Sequence, residues 1–364
     1  MPPVPDLSGV LGVLEVIAPI YLTIGVGFLA VRVGLVSGEG LRALSAFVVM
    51  IALPALLFGA IARRPLTEVV QPAYLLAYAG GSLVAALLGW WAVRGLARRP
   101  ASGPVDGLAA DPPADPVDGL AADLADGSAA RAVRMRAAYT SLGSGMSNSG
   151  FVVYPVLQLA MPGQAAVVFG MNVLVENLLM LPLGLSVAER AAGGHASPLR
   201  LARDMVERLA RQPMVIAIVA GVAFSALGLT MPTFVDRTVT LFADATPAPA
   251  LFIIGGFLVG QSLRGQFGRV APLVVGKLVA HPLAVGALTY VVVRFGPAMG
   301  VPALDPTLAA GAVISAAAPT ISILPLLASR HGEGEAMSAA SFACTLGAVL
   351  TLSGALLLVG PSHG

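Results

Sequence analysis

Ten stretches of mostly apolar residues dominate this chain, each close to the 20 or so residues that a helix needs to cross a bilayer. Hydrophobic residues make up 57% of its 364 positions and charged residues 11%, against roughly 45–50% and about 25% in soluble domains. A soluble core of this size could not bury so much apolar surface. We therefore predict an all-α integral membrane protein rather than a soluble enzyme, a nucleic-acid binder or a disordered scaffold.

The predicted spans divide the chain into segments. Residues 1–99 hold helices 1–3, 100–130 a disordered loop, 131–189 helices 4 and 5, 190–212 a cytoplasmic linker, and 213–364 helices 6–10. The individual spans are predicted at 11–31, 44–61, 73–93, 137–161, 164–188, 213–229, 245–263, 271–293, 306–328 and 336–359.

The placement of arginine predicts how the chain is oriented. The odd-numbered loops between these spans contain 16 arginines, and the opposite side contains 4. Loops rich in Lys and Arg stay in the cytoplasm. We therefore expect a multi-pass protein of the inner or plasma membrane, embedded in lipid, with both termini outside the cytoplasm. The net charge of only +2 gives no reason to expect a nucleic-acid partner.

The loop at 100–130 differs in composition from the rest of the chain. The octapeptide PVDGLAAD occurs in it twice, at 104–111 and 116–123, and the segment contains six aspartates. Low hydrophobicity combined with like charge predicts disorder. Two interpretations are open: a regulatory or docking segment, or a tandem duplication that a solvent-exposed loop tolerates.

The two halves of the chain repeat one another. PALLF at 54–58 resembles PALFI at 249–253, and YPVL at 154–157 resembles LPLL at 324–327. The spacing between the two motifs is longer in the first half by about the length of the acidic loop. Helix n therefore matches helix n+5, and because five is odd the two copies enter the membrane in opposite directions. This predicts two five-helix inverted repeats, the architecture of many secondary transporters.

The fourth and ninth spans are the least suited to a continuous helix. Residues 141–150 read SLGSGMSNSG and residues 315–322 read SAAAPTIS. Gly, Ser and Asn are weak helix formers, and Pro155 and Pro325 each remove a further backbone donor. We expect both helices to break near mid-membrane, where unwound backbone is tolerated only inside protein or beside a wet cavity. The alternative is that small residues allow close packing and the prolines only kink the helices.

Broken helices at matching positions in two inverted halves predict a substrate site at the breaks. The second half of such a helix starts with exposed N–H groups of partial positive charge, which bind anions such as carboxylates. Pro155 and Pro325 are expected to shape the breaks. The residues expected to contact substrate are Ser147, Asn148, Ser149, Gly150, Pro319, Thr320 and Ser322.

Besides Glu15, which lies near the end of the first span, three ionisable residues lie within predicted spans, where charge is costly and usually functional. Glu176 is a candidate proton carrier, and the alternative is a hydrogen-bonded structural role. Lys277 and His281 lie one turn apart on one helix face and are candidates for a charge beside the anion path. The alternative for Lys277 is that its side chain reaches back to the cytoplasmic rim. No metal site or cofactor is expected, apart from H⁺ or Na⁺ as a coupling ion, and no enzyme motif was found.

Several short motifs, taken in order, resemble the auxin efflux carrier family of bacterial and plant transporters, whose members include malonate carriers and plant auxin exporters. The resemblance runs from about residue 17 to residue 358 and omits the acidic loop. Its motifs are API at 18–20 with GF at 27–28 and GL at 34–35, LPALLF at 53–58, the N-x-G…P of Asn148, Gly150 and Pro155, QP at 212–213, TPAPAL at 246–251, Lys277 with Pro282, and APT at 318–320 followed by Ala328.

The resemblance implies ten helices in two inverted repeats, with helices 4 and 9 crossing where they break. It also implies alternating-access transport of small organic anions, such as malonate or auxin-like acids, and homodimers. The chain departs from the family pattern at Ser147, where Gly usually precedes the Asn, at Ser322, and in its additional Pro325. Two alternatives are open: a Na⁺-coupled bile-acid-type symporter on the same fold, and a membrane sensor that binds a ligand without moving it.

Overall fold

A computed structural model describes residues 7–97, 116–193, 203, 206, 207, 209–261 and 267–359. The regular elements among these residues are all helices, with no β-strand, so the predicted all-α class is confirmed for them. The α-helices are α1 (Leu7–Arg32), α2 (Gly38–Phe47), α3 (Leu53–Ala62), α4 (Leu66–Val69), α5 (Pro72–Ala97), α6 (Pro116–Gly145), α7 (Tyr154–Ala160), α8 (Pro162–Leu174), α9 (Leu181–Ala191), α10 (Pro213–Ala226), α11 (Thr233–Asp244), α12 (Pro247–Phe257), α13 (Phe267–Val275), α14 (His281–Phe295), α15 (Pro306–Ala317), α16 (Leu324–Ser329) and α17 (Gly334–Val359).

Seven helical stretches in this part of the chain are long and apolar enough to cross a membrane. They are Gly12–Arg32, Gly38–Ala62, Thr67–Ala97, Pro162–Ala191, Thr233–Phe257, Gly268–Met299 and Gly334–Val359. Shorter apolar helices at Ser149–Ala160, Pro213–Ala226 and Pro306–Ala317 coincide with the fourth, sixth and ninth predicted spans. The pattern is that of a multi-pass membrane protein, while ten crossings stay a prediction.

The outer surface of the bundle is apolar. Leu22, Leu283 and Leu350 are 69%, 67% and 78% exposed, and many other large hydrophobic side chains are exposed with them. Soluble monomers rarely expose contiguous apolar surface on this scale. Lipid is therefore the medium that this surface fits.

Four wide, π-helical turns each come directly before a helix with proline in its first turn. They are Val48–Ala52, Ser149–Val153, Val175–Met180 and Gly276–Ala280, followed by Pro54, Pro155, Pro182 and Pro282. In each, the residue before the proline donates to the carbonyl five positions earlier. Proline cannot donate to the carbonyl four positions earlier and clashes with it, so the turn widens rather than breaking.

Helix α6 begins inside the segment that was expected to be disordered. It starts at Pro116, so the second octapeptide copy forms its first turns. Proline suits the first turn of a helix, and the Ala and Leu residues that follow are strong helix formers. The first copy, at 104–111, lies outside the described residues.

Three pairs of helices pack closely around the two broken spans: α1 with α12, α3 with α10, and α5 with α14. In the first pair, a Cβ added to Gly27 would overlap the carbonyl oxygen of Phe252, and one added to Gly255 would overlap that of Ile24. Glycine at both positions lets the two backbones touch, which is how helices associate where lipid removes the hydrophobic driving force.

Candidate functional site

Both helices that were predicted to break are interrupted in the structure. α6 ends at Gly145 and the helix resumes at Ser149, while α15 ends at Ala317 and the helix resumes at Leu324. We call the unwound residues, 146–148 and 318–323, the crossover. Its two segments pair with each other, because Ser147 and Thr320 form an isolated antiparallel bridge. The breaks therefore meet at one point in the bundle.

The three prolines of these spans occupy two kinds of position. Pro319 lies in the crossover itself. Pro155 and Pro325 are the second residues of α7 and α16, so they lie where helix has already resumed. Proline is favoured in the first helical turn because its missing N–H has no partner to lose there. Pro325 thus lies at the restart of the second helix, whereas Pro155 lies six residues after the first helix resumes at Ser149, and neither belongs to the unwound residues.

The polar ends of the broken helices are satisfied by side chains from elsewhere in the bundle. The Thr320 hydroxyl donates to the Gly143 carbonyl of α6 at 2.8 Å. Such capping is required at this depth, because a buried helix end leaves carbonyls without intrahelical partners. At the end of α15, the carbonyl oxygens of Ser315, Ala316 and Ala317 accept from Ser147 Oγ (2.7 Å), Lys277 Nζ (2.9 Å) and Thr351 Oγ1 (2.7 Å), respectively.

One side of the crossover carries the Asn148 amide. Its Nδ2 donates to Ser322 Oγ at 2.6 Å, which joins the two unwound segments through side chains. Asn148 is 5% exposed and Ser322 is half-buried. A Cβ added to neighbouring Gly150 would lie 2.8 Å from Cδ1 of Leu53, so α3 packs directly against the restarted helix. The structure thus brings together three of the residues predicted to contact substrate.

The carboxylate of Glu176 accepts hydrogen bonds from the first unwound segment, from the start of the resumed helix and from α5. Its Oε1 lies 2.7 Å from Ser149 Oγ, 2.9 Å from the Tyr78 hydroxyl and 3.3 Å from the backbone N of Ser147. Glu176 is itself buried. Ser147 and Ser149, both predicted to contact substrate, are therefore engaged with this carboxylate.

Lys277 is fully buried, so the alternative in which it reaches the cytoplasmic rim is wrong. Its Nζ donates to Ser147 Oγ at 2.8 Å and to the Ala316 carbonyl at 2.9 Å, and it lies 2.6 Å from His281 Nδ1. An ammonium has only donors, so His281 Nδ1 accepts and its proton resides on Nε2. That nitrogen faces Ser82 Oγ at 3.0 Å. The predicted shared face of Lys277 and His281 is confirmed.

Sequence reasoning did not single out the face of α5 that meets this network. Tyr74, Tyr78 and Ser82 are spaced four residues apart, which places them on one helix face, and all three are fully buried. The Tyr74 hydroxyl donates to Asn172 Oδ1 at 2.7 Å, and Asn172 Nδ2 donates to Ser315 Oγ at 2.8 Å. The signal that could have revealed them is this run of polar groups at helical spacing within an apolar span.

An apolar helical bundle with two interrupted helices crossing at a buried polar network is the architecture of a membrane transport protein. Comparison with known families agrees: the model of the family described as "Membrane transport protein" matches residues 12–103 and 130–356. The chain belongs to this family, which is the auxin efflux carrier family that the sequence motifs indicated. The match leaves out residues 104–129, nearly all of the acidic loop.

A curated relative supports the same assignment. The chain is 25% identical over 344 residues to a protein of Rhizobium meliloti (strain 1021) that is named "Putative malonate transporter". The alignment covers 94% of this chain and 94% of the relative. The likeness therefore extends through both broken helices rather than through one half of the chain.

Proposed function

We propose that this protein is a secondary active transporter that moves small organic anions, such as malonate or auxin-like acids, across the cytoplasmic membrane by alternating access. The observation that carries the proposal is the crossover, at which two interrupted helices are held together by Ser147 and Thr320. Unwound backbone at membrane depth is retained where it forms a binding site. Membership of a transport family and the name of the relative support the same class of function.

The proposed anion site lies on the side of the crossover that faces α3. The helix resuming at Ser149 starts with N–H groups that have no intrahelical acceptor, and its dipole is positive there. Asn148 and Ser322 add an amide and a hydroxyl beside it. These groups favour a carboxylate without a charged side chain in direct contact with it. The other three polar residues, Ser147, Ser149 and Thr320, would not contact the anion but would hold the crossover in its binding geometry.

The proposed topology is ten crossings in two inverted repeats with both termini outside the cytoplasm. The packing supports it. The helices α1 and α12 are spans 1 and 7, and α3 and α10 are spans 2 and 6, so relating span n to span n+5 exchanges these two observed pairs. The same relation maps the pair α5 with α14, which are spans 3 and 8, onto itself. The excess of arginine in the odd-numbered loops supports the orientation.

Alternating access would require one group of helices to move against the other. We propose that α1, α3, α10 and α12 form one group, and that the helices from α5 to α9 and from α13 to α17 form the other. The contact between Leu53 and Gly150 lies at their boundary, next to the Asn148 side of the crossover. A site at such a boundary can open to either side of the membrane as the groups rock.

Counterflow in proteoliposomes tests the proposal. Vesicles containing the purified protein and unlabelled malonate are given labelled malonate outside, and protein-free vesicles serve as the control. Transient accumulation of label above the control is the expected result. If labelled malonate does not accumulate above the control, the same assay is run with monocarboxylates, indole acids and amino acids. Silence across this whole panel would contradict transport of small organic anions.

A further inference from the structure

The ammonium of Lys277 is held in a cage of three acceptors that come from three parts of the fold. Ser147 Oγ belongs to the first break, the Ala316 carbonyl to the helix end at the second break, and His281 Nδ1 to the next turn of its own span. The three donors of the ammonium match these three acceptors one to one. The side chain is fully buried, so no water is needed to complete the set.

This cage resembles a cation site more than an ordinary ion pair. Hydroxyl and carbonyl oxygens at the ends of interrupted helices are the groups that coordinate coupling cations in transporters. The Ala316 carbonyl lies at the C-terminal end of α15, where the helix dipole is negative and favours a cation. None of the ion pairs found among the described residues involves Lys277. The helix end and the hydroxyl therefore receive the charge directly.

Ser147 connects this cation to the buried carboxylate. Its hydroxyl accepts from Lys277, while its backbone N–H donates to Glu176 Oε1. The two ionisable side chains thus share one residue of the crossover without forming an ion pair with each other. A cation fixed at this position keeps the carboxylate and the negative helix end compensated whether or not substrate is bound.

We propose that Lys277 is a built-in cation that occupies the coupling-cation position of the crossover, so that this transporter works without Na⁺. Lys277 is then a positioning residue: it holds the crossover in its binding geometry through Ser147 and Ala316. The flux arm of the inference rests on the proposed transport function. The stability arm does not, because it asks only which cation the cage accepts.

The flux arm compares counterflow in media containing Na⁺, K⁺ or N-methyl-D-glucamine as the main cation. We expect the native protein to give the same flux in all three, and Lys277→Met to lose at least about tenfold, since it removes hydrogen bonds from a charged group. Thr289→Val is the matched control, because Thr289 is a buried residue of the same span whose hydroxyl has no partner. It should transport like the native protein. Stimulation of native flux by Na⁺, or full flux in Lys277→Met, would overturn the inference.

The stability arm measures the melting temperature of the purified protein in detergent. The native protein should melt at the same temperature in sodium and choline chloride. Lys277→Ala empties the cage, so methylammonium chloride should raise its melting temperature by roughly 2 °C or more relative to choline chloride, and should not affect the native protein. A rise of the native melting temperature in Na⁺, or no response of Lys277→Ala to methylammonium, would overturn the inference. If Lys277→Ala does not fold, the melting temperature of the native protein in Na⁺ still tests the inference. If the native protein shows no counterflow in any of the three media, that result counts against the transport proposal instead.

Discussion

The backbone N–H of Asn148 donates a 2.9 Å hydrogen bond to the carbonyl oxygen of Pro319, so two segments that lie 171 positions apart in the sequence are joined main chain to main chain. Next to this bond, Asn148 and Ser322 join the same segments through their side chains. The breaks in the two helices therefore support one another: each unwound segment supplies the hydrogen-bonding groups that the other needs inside the membrane.

Asn148→Ala should abolish anion counterflow while leaving the protein folded. The substitution removes an amide at the proposed anion site, and a hydrogen bond to a charged group accounts for about tenfold or more in affinity. Asn177→Ala is the matched control, because it removes a buried amide that bonds Val173 and Gln212 instead of the crossover. Counterflow and size-exclusion profiles of both variants check this prediction. Native flux in Asn148→Ala would show that the site is wrongly assigned.

Tyr74→Phe should lower stability while keeping the aromatic ring in the core. It leaves Asn172 Oδ1 without the 2.7 Å bond that Tyr74 provides, and an unsatisfied buried acceptor costs about 1–3 kcal/mol. Because the entropy of unfolding grows with chain length, the melting temperature of this 364-residue chain should fall by about 1–2 °C for each kcal/mol lost. Tyr290→Phe makes the same chemical change at a side chain that is 67% exposed and should melt like the native protein. Equal melting temperatures for all three proteins would contradict a stabilising role of the Tyr74 hydroxyl.

Deleting residues 104–115 should leave transport intact. The deletion removes the first octapeptide and ends just before Pro116, where α6 begins, and the family match also leaves this segment out. Flux and melting temperature of the deletion variant should equal those of the native protein. A membrane sensor that used the acidic loop as its output would instead keep ligand binding and lose its signal. Loss of flux with unchanged folding would assign the loop a direct part in transport.

Cysteine labelling should reveal both termini outside the cytoplasm. In a Cys344→Ala background, Thr230→Cys should react in intact cells with a membrane-impermeant maleimide, while Leu35→Cys should react only after the cells are opened. Both positions are exposed, in the turns that follow α10 and α1, and the native Cys344 is buried. The arginine distribution places the turn after α10 on the outer side of the membrane and the turn after α1 in the cytoplasm. The reverse labelling pattern would invert the proposed topology.

The sequence by itself determined that this is a multi-pass helical membrane protein and which two of its helices are interrupted. Span length and hydrophobicity are local properties, and so is the weakness of a Gly-Ser-Asn run or an Ala-Pro-Thr run as a helix former. For this reason both interruptions occur in or next to the runs predicted for them, although Pro155 and Pro325, which were expected to shape the breaks, lie in the resumed helices. The shared face of Lys277 and His281 followed in the same way, from helical spacing alone.

Only the tertiary structure decided which way each polar group points. Ser147 and Asn148 are neighbours in the sequence, but Ser147 pairs with Thr320 as a strand would, and successive side chains of extended backbone point to opposite sides. Ser147 therefore bonds Lys277, 130 positions away, while Asn148 bonds Ser322, 174 positions away. The same holds for Tyr74 and Asn172, which meet because α5 packs against α8. Such contacts depend on how distant helices pack, and no local pattern of residues encodes that.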